Sequence, residues 1–249
     1  MLEAAGWGLL GASSLLIGAI AGLLLPIPPR VIGLILGFGA GTLISAVAFE
    51  LTEEAFRLGG ADTVALGLAL GALTYFSGSV AIARRGGAGR MRPSGREDAD
   101  ASRALLLGAV LDGIPESAVI GISVLGGGSV GVAVLAAVFL SNLPEALSSS
   151  RGMGEQGVGA RRVLGTWALV VLVSGLAAAA GYGFLEDAGG DTVGLIEAFA
   201  GGAVLTMLAD TMIPEAYKAE HDAGVLTQRA VGLLTVVGFA LAYLLSTLE

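Results

Sequence analysis

Long apolar runs with few charges alternate along this chain with short segments that carry most of its charged residues. The runs fall at 4–25, 31–57, 63–83, 104–125, 130–150, 163–185, 194–217 and 230–248. Each approaches or exceeds the roughly 20 residues a helix needs to cross a bilayer core, so the pattern predicts eight transmembrane helices. A closed β-barrel would show short alternating strands instead. The expected fold is therefore an all-α integral membrane protein forming one polytopic domain. The first helix ends near Leu25, because Pro26-Ile27-Pro28-Pro29 cannot continue it.

Composition supports this reading: 55% of residues are hydrophobic, 41 are glycine and only 14% are charged, with a mean hydropathy of +0.84. That balance excludes an ordinary water-soluble domain. The absence of cysteine excludes disulfide scaffolds and thiolate metal sites, and the net charge of −8 gives no reason to expect a nucleic-acid partner. No basic residue precedes Arg30, so the first run reads as a retained span and not as a cleaved leader.

Placing both termini outside the cytoplasm puts every basic residue except Arg57 on the inner side, as the positive-inside rule requires. Glu186, Asp187 and Asp191 then fall outside. The segment 84–103, rich in Gly, Arg, Asp and Ser, reads as a flexible cytoplasmic loop. Arginine in place of lysine, with abundant alanine and glycine, points to a GC-rich genome and so to a prokaryotic plasma membrane.

Two internal repeats stand out. Ala40-Gly41-Thr42-Leu43-Ile44-Ser45 aligns with Gly201-Gly202-Ala203-Val204-Leu205-Thr206, and at the same offset of 161 Glu54-Ala55-Phe56 aligns with Glu215-Ala216-Tyr217. Asp112-Gly113-Ile114-Pro115-Glu116 aligns with Ser141-Asn142-Leu143-Pro144-Glu145 at an offset of 29. In both pairs the predicted helices run in opposite directions. The expected arrangement is three helices, two and three, with inverted pseudo-symmetry, as in many secondary transporters.

The paired Pro-Glu motifs carry the chemistry. Each proline removes an amide donor and frees the carbonyl four residues earlier, here Leu111 and Leu140. Asp112 and Glu116 share one face of helix 4, and Asn142 and Glu145 share one face of helix 5. Antiparallel packing would aim them, with Ser141, at a common point. A charged aspartate at mid-membrane costs about 2.5–3.5 kcal/mol on insertion scales, and neither span holds a lysine or arginine. Either the acids are partly protonated or a cation binds among them. Glu50, Glu54, Asp210 and Glu215, with Glu53, extend the polar line along helices 2 and 7. Of these, Glu50 and Asp210 are expected to be the more buried, while Glu53, Glu54 and Glu215 approach helix ends. Glu197 reads as a surface acid, His221 as a solvated loop residue, Gly126–Gly128 as a turn, and Trp7, Trp167 and Tyr182 as an aromatic belt.

On these motifs, together with Ile213-Pro214-Glu215-Ala216, the chain resembles the ZIP (Zrt/Irt-like) divalent metal transporters over nearly its whole length. The resemblance implies uptake of zinc, iron, manganese or related ions into the cytoplasm between helices 4 and 5, and often a homodimer. It implies that Glu116 and Glu145 hold the ion. Asp112 stands where a histidine is usual, Gly113 where asparagine is common, Ser141 where histidine or glutamine is frequent, and Asn142 where aspartate or asparagine is. Helix 6 lacks the acid of two-metal members. The expectation is one transported ion among Asp112, Glu116, Ser141, Asn142 and Glu145, held by oxygen donors that favour harder cations, and no resident cofactor. A proton-coupled carrier of an organic solute is the alternative. An intramembrane hydrolase is disfavoured, because the spans hold no histidine, cysteine or evident nucleophile-base pair.

Overall fold

The computed structural model describes residues 1–84, 113–114, 116–124, 132–218 and 225–247. The expected loop beyond Arg84, Asp112, the triple glycine and His221 lie outside these residues. The elements are α1 (Leu2–Leu24), α2 (Pro29–Ala46), a π-helical segment (Val47–Thr52), α3 (Glu53–Arg84), α4 (116–123), α5 (Val132–Glu155), α6 (Ala160–Leu185), α7 (Gly190–Met207), a second π segment (Leu208–Met212), α8 (Ile213–Lys218) and α9 (Val225–Ser246). The described residues contain no strand.

Among them, five stretches are long and apolar enough to cross a membrane: Leu2–Leu24, Pro29–Arg84, Ala160–Leu185, Gly190–Lys218 and Arg229–Ser246. The second, at 56 residues, is too long for one crossing. It breaks at Gly60, whose φ of 75° is open to glycine at no steric cost. Residues 53–59 therefore prolong α2, and the remainder of α3 forms a separate rod. The protein is a multi-pass helical membrane protein.

The proline run both ends and starts a helix. Leu25 is extended, and Pro29 occupies the first turn of α2, where its missing N–H would have no partner anyway. Pro144 sits inside α5 without ending it, and the helix continues to Glu155, five residues beyond the predicted end.

Helix directions follow from which residues meet. A Cβ on Gly190 or Gly194 would touch Leu58 or Ala55, and one on Gly201 would approach Val47 and Leu51, so α7 runs antiparallel to the α2 rod. Gly67 and Gly71 meet α7 at Ala198 and Phe199, in parallel. α1 runs antiparallel to α6, with Gly8 against Ala178 and Gly183 against Met1, and parallel to α5, with Gly11 against Leu135 and Gly18 against Leu143. Gly121 of α4 packs on Ala178 of α6.

The tightest crossings repeat. Gly41 lies against the Thr235 carbonyl and Gly202 against that of Leu68, while Gly71 lies against the Phe199 carbonyl and Gly238 against that of Phe38. Gly41 and Gly202, and likewise Phe38 and Phe199, are 161 positions apart; Leu68 and Thr235, and Gly71 and Gly238, are 167 apart. The two π segments also begin 161 positions apart.

Small residues fill the interior, while Leu66, Leu70, Leu73, Leu172, Leu176, Leu233 and Val236 face outward. This distribution suits lipid as solvent, since close van der Waals contact and not hydrophobic exclusion holds helices together there. A methyl group at a backbone crossing should therefore be costly. Gly41→Ala and Gly71→Ala should each destabilise the detergent-solubilised protein by about 1–3 kcal/mol. Gly165→Ala, where a Cβ meets nothing, should leave it unchanged or gain about 0.5–1 kcal/mol. Thermal melts followed by circular dichroism would check both signs.

Candidate functional site

The first π segment widens the α2 rod where Glu50 sits, and Thr52 closes it by donating from Oγ1 to the Val47 carbonyl at 2.7 Å. The second ends next to Pro214, which has no N–H to continue an α-helical ladder. π turns of this kind recur at functional positions because they displace side chains and loosen the backbone ladder.

At the end of the bundle where α7 begins and α9 ends lies a cavity of about 800 Å³. Among the described residues its wall carries Glu50, Glu53, Glu54, Glu186 and Glu197 against one cation, Arg57. The Arg57 guanidinium pairs with Glu54 at 2.8 Å, in an exposed position. Met1 packs near this end on Gly183, and Thr247 lines the cavity, so both ends of the described chain lie on one side.

Inward of the cavity, an apolar cluster that includes Leu51, Val119, Val134, Val138 and Ala200 separates it from a group of buried polar side chains. Val119 and Ser123 of α4 line the cavity, and Glu116 lies on that same helical face, deeper by one turn from Val119. It is 3% exposed. On α5, Val134 lines the cavity, and Val138, Ser141 and Glu145 follow at helical spacing. Ser141 and Asn142 are buried and Glu145 is half-buried. Ser141 packs beside Gly39 of α2, which also touches Met212 of the second π segment, and the Leu140 carbonyl freed by Pro144 faces Gly39. Beyond this group, Ser148 donates a short hydrogen bond to Glu215, and Tyr75 and Thr211 meet through their hydroxyls at 3.4 Å.

Glu50 and Glu54 are thus brought together, while Glu215 stands at the opposite end. Three expectations are corrected. Asp210, expected to be among the more buried acids, is exposed, because it lies on the outward side of the second π turn. Glu197, read as a surface acid, is 9% exposed. It shares a helical face with Gly190, Gly194 and Gly201, the face that packs on the α2 rod, and that glycine spacing was the signal for its burial. Trp167 is no interfacial aromatic: it is buried, and its Nε1 donates to Ser150 at 2.7 Å. Among the described residues, no three His, Asp or Glu side chains stand together in a group able to hold a metal ion.

The fold and cavity define a helical membrane protein with an acidic recess at one end and buried oxygen donors in its interior. No family model matches the chain. It is similar to a curated Arabidopsis thaliana protein named "Putative zinc transporter", with 23% identity over 224 residues covering 88% of this chain. The chain spans only 35% of that relative's length.

The chain has no cysteine, so single cysteines report access without background. Ser123→Cys and Val193→Cys, both on the cavity wall, should react with a charged methanethiosulfonate reagent, while Ala146→Cys, fully buried in α5, should resist it. Equal reactivity at all three would contradict the cavity.

Proposed function

We propose that this protein is a ZIP-like transporter that moves a divalent metal cation into the cytoplasm. The observation that carries this reading is the acidic cavity together with Glu116, Ser141, Asn142 and Glu145, which lie inward of it along the faces of α4 and α5 that line it. The similarity to a protein named for zinc transport supports it. In this reading the cavity opens outside the cell, and the ion passes to Glu116 and Glu145, joined by Asp112 and by the neutral oxygens of Ser141 and Asn142. Ser148 and Glu215 guard the inner exit.

The eight helices form a 3+2+3 arrangement of inverted copies. Support comes from the antiparallel relation of α7 to the α2 rod and of α6 to α1, and from crossings that recur at fixed offsets. A site at the interface of inverted units is alternately exposed by rocking of one against the other. An all-oxygen donor set tolerates Mn²⁺ and Fe²⁺ as well as Zn²⁺, and carboxylate protonation assists release. The protein works as a transporter and not as an enzyme, in a prokaryotic plasma membrane with both termini outside.

Uptake into proteoliposomes over Zn²⁺, Mn²⁺, Fe²⁺, Co²⁺, Cd²⁺ and Mg²⁺ tests this. At least one ion should accumulate, and the Glu116→Ala, Glu145→Ala double variant should fall to the level of empty liposomes. A folded wild-type protein that moves none of them would overturn the reading in favour of an organic-solute carrier.

A further inference from the structure

Glu197 is a buried acid that the pathway above does not use. It lines the cavity yet is 9% exposed, and among the described residues its Oε2 is buried without a hydrogen-bond partner. An ionised carboxylate oxygen held out of bulk water without a donor is costly, so the group is either protonated or met by a cation. Its neighbours are set by helix geometry. Gly194 packs on Ala55 and Leu58, and Gly201 on Val47 and Leu51, so position 197 stands opposite the turn that carries Glu50 and Glu54. The nearest fixed cation on that wall is Arg57, already engaged with Glu54.

We propose that Glu197, with Glu50 and Glu54 across the cavity, forms a second cation site that holds a hydrated divalent ion, and that Arg57 is the counter-charge this ion displaces from Glu54. The ion keeps part of its water shell because the carboxylates do not converge as a closed ligand set, a mode natural to hard divalent cations. The Arg57–Glu54 pair is exposed, and such pairs contribute little, so a divalent ion competes with it readily. The site concentrates cations before they reach Glu116. Only this last role rests on the transport reading; binding itself does not.

Mn²⁺ binding by the full chain in detergent, read by electron paramagnetic resonance, tests the site. In a Glu116→Gln, Glu145→Gln background one Mn²⁺ should still bind. Adding Glu197→Gln should weaken it by about tenfold or more, whereas Arg57→Gln should tighten it by about two- to fivefold. A purely structural role for Glu197 and Arg57 would not produce opposite shifts. No Mn²⁺ binding in a background variant that elutes and melts as a folded protein overturns the site, and so does unchanged affinity in Glu197→Gln. Should the background variant misfold, the same two substitutions are read in the otherwise native chain, where absence of both shifts overturns it equally. Opposite shifts without uptake of any ion would refute the transport reading alone. Normal uptake with unaltered Mn²⁺ binding in Glu197→Gln would refute this site alone.

Discussion

The tightest crossings in this bundle bring backbone against backbone, and they exist because glycine supplies no Cβ where two helices meet. Within lipid there is no hydrophobic force to drive apolar helices together, so adhesion depends on many short contacts between closely approaching surfaces. Gly41, Gly71, Gly202 and Gly238 each lie against a carbonyl of the facing helix. That closeness fixes register as well as distance. The same stripe on α7 that packs on the α2 rod carries Glu197, so the carboxylate is pinned at the cavity wall by the glycines around it.

Such an interior leaves little space for charge, and polar groups gather where regular helix gives way. The π segment at Val47–Thr52 carries Glu50 to the cavity, and the one at Leu208–Met212 brings Met212 beside Gly39, close to Ser141. In each case a local device compensates the altered ladder: the Thr52 hydroxyl reaches the Val47 carbonyl in one, and the other ends at a proline that has no amide to donate. Pro144 works similarly. It frees the Leu140 carbonyl opposite a glycine, where the backbone of α2 can approach.

The helices were legible in the sequence because apolar runs of membrane length have few alternative readings, and the Pro-Glu motifs were legible because uncompensated acids in such runs are expensive. Burial of Glu116, Ser141 and Asn142 agrees with that reasoning. Side-chain orientation around each helix was less legible. Asp210 turns outward because a π turn rotates the face that an α-helical count assigns, and no periodicity rule anticipates the inserted residue. Trp167 was assigned to an interface from its nearness to a helix end, yet its partner Ser150 lies on a different helix. Such a pairing is decided by tertiary contact alone.

The repeated offsets make the differences between the copies informative. Glu54 and Arg57 at the cavity correspond, 161 positions on, to Glu215 and Lys218 at the other end. Val119 at the cavity corresponds, 29 positions on, to Ser148. The methyl groups of Val119 cannot donate a hydrogen bond to Glu54, whereas Ser148 donates one to Glu215. Glu50 corresponds to Thr211, and Tyr75 to Ala242 at the second offset of 167. Tyrosine and threonine meet at one end; the matching pair is a glutamate and an alanine, whose side chains cannot hydrogen-bond to each other. A few side-chain differences between otherwise matched copies thus leave one end open and acidic while hydrogen bonds span the other. The asymmetry between the two ends is written in the residues by which the matched segments differ, and the shared glycine crossings supply the frame that holds both.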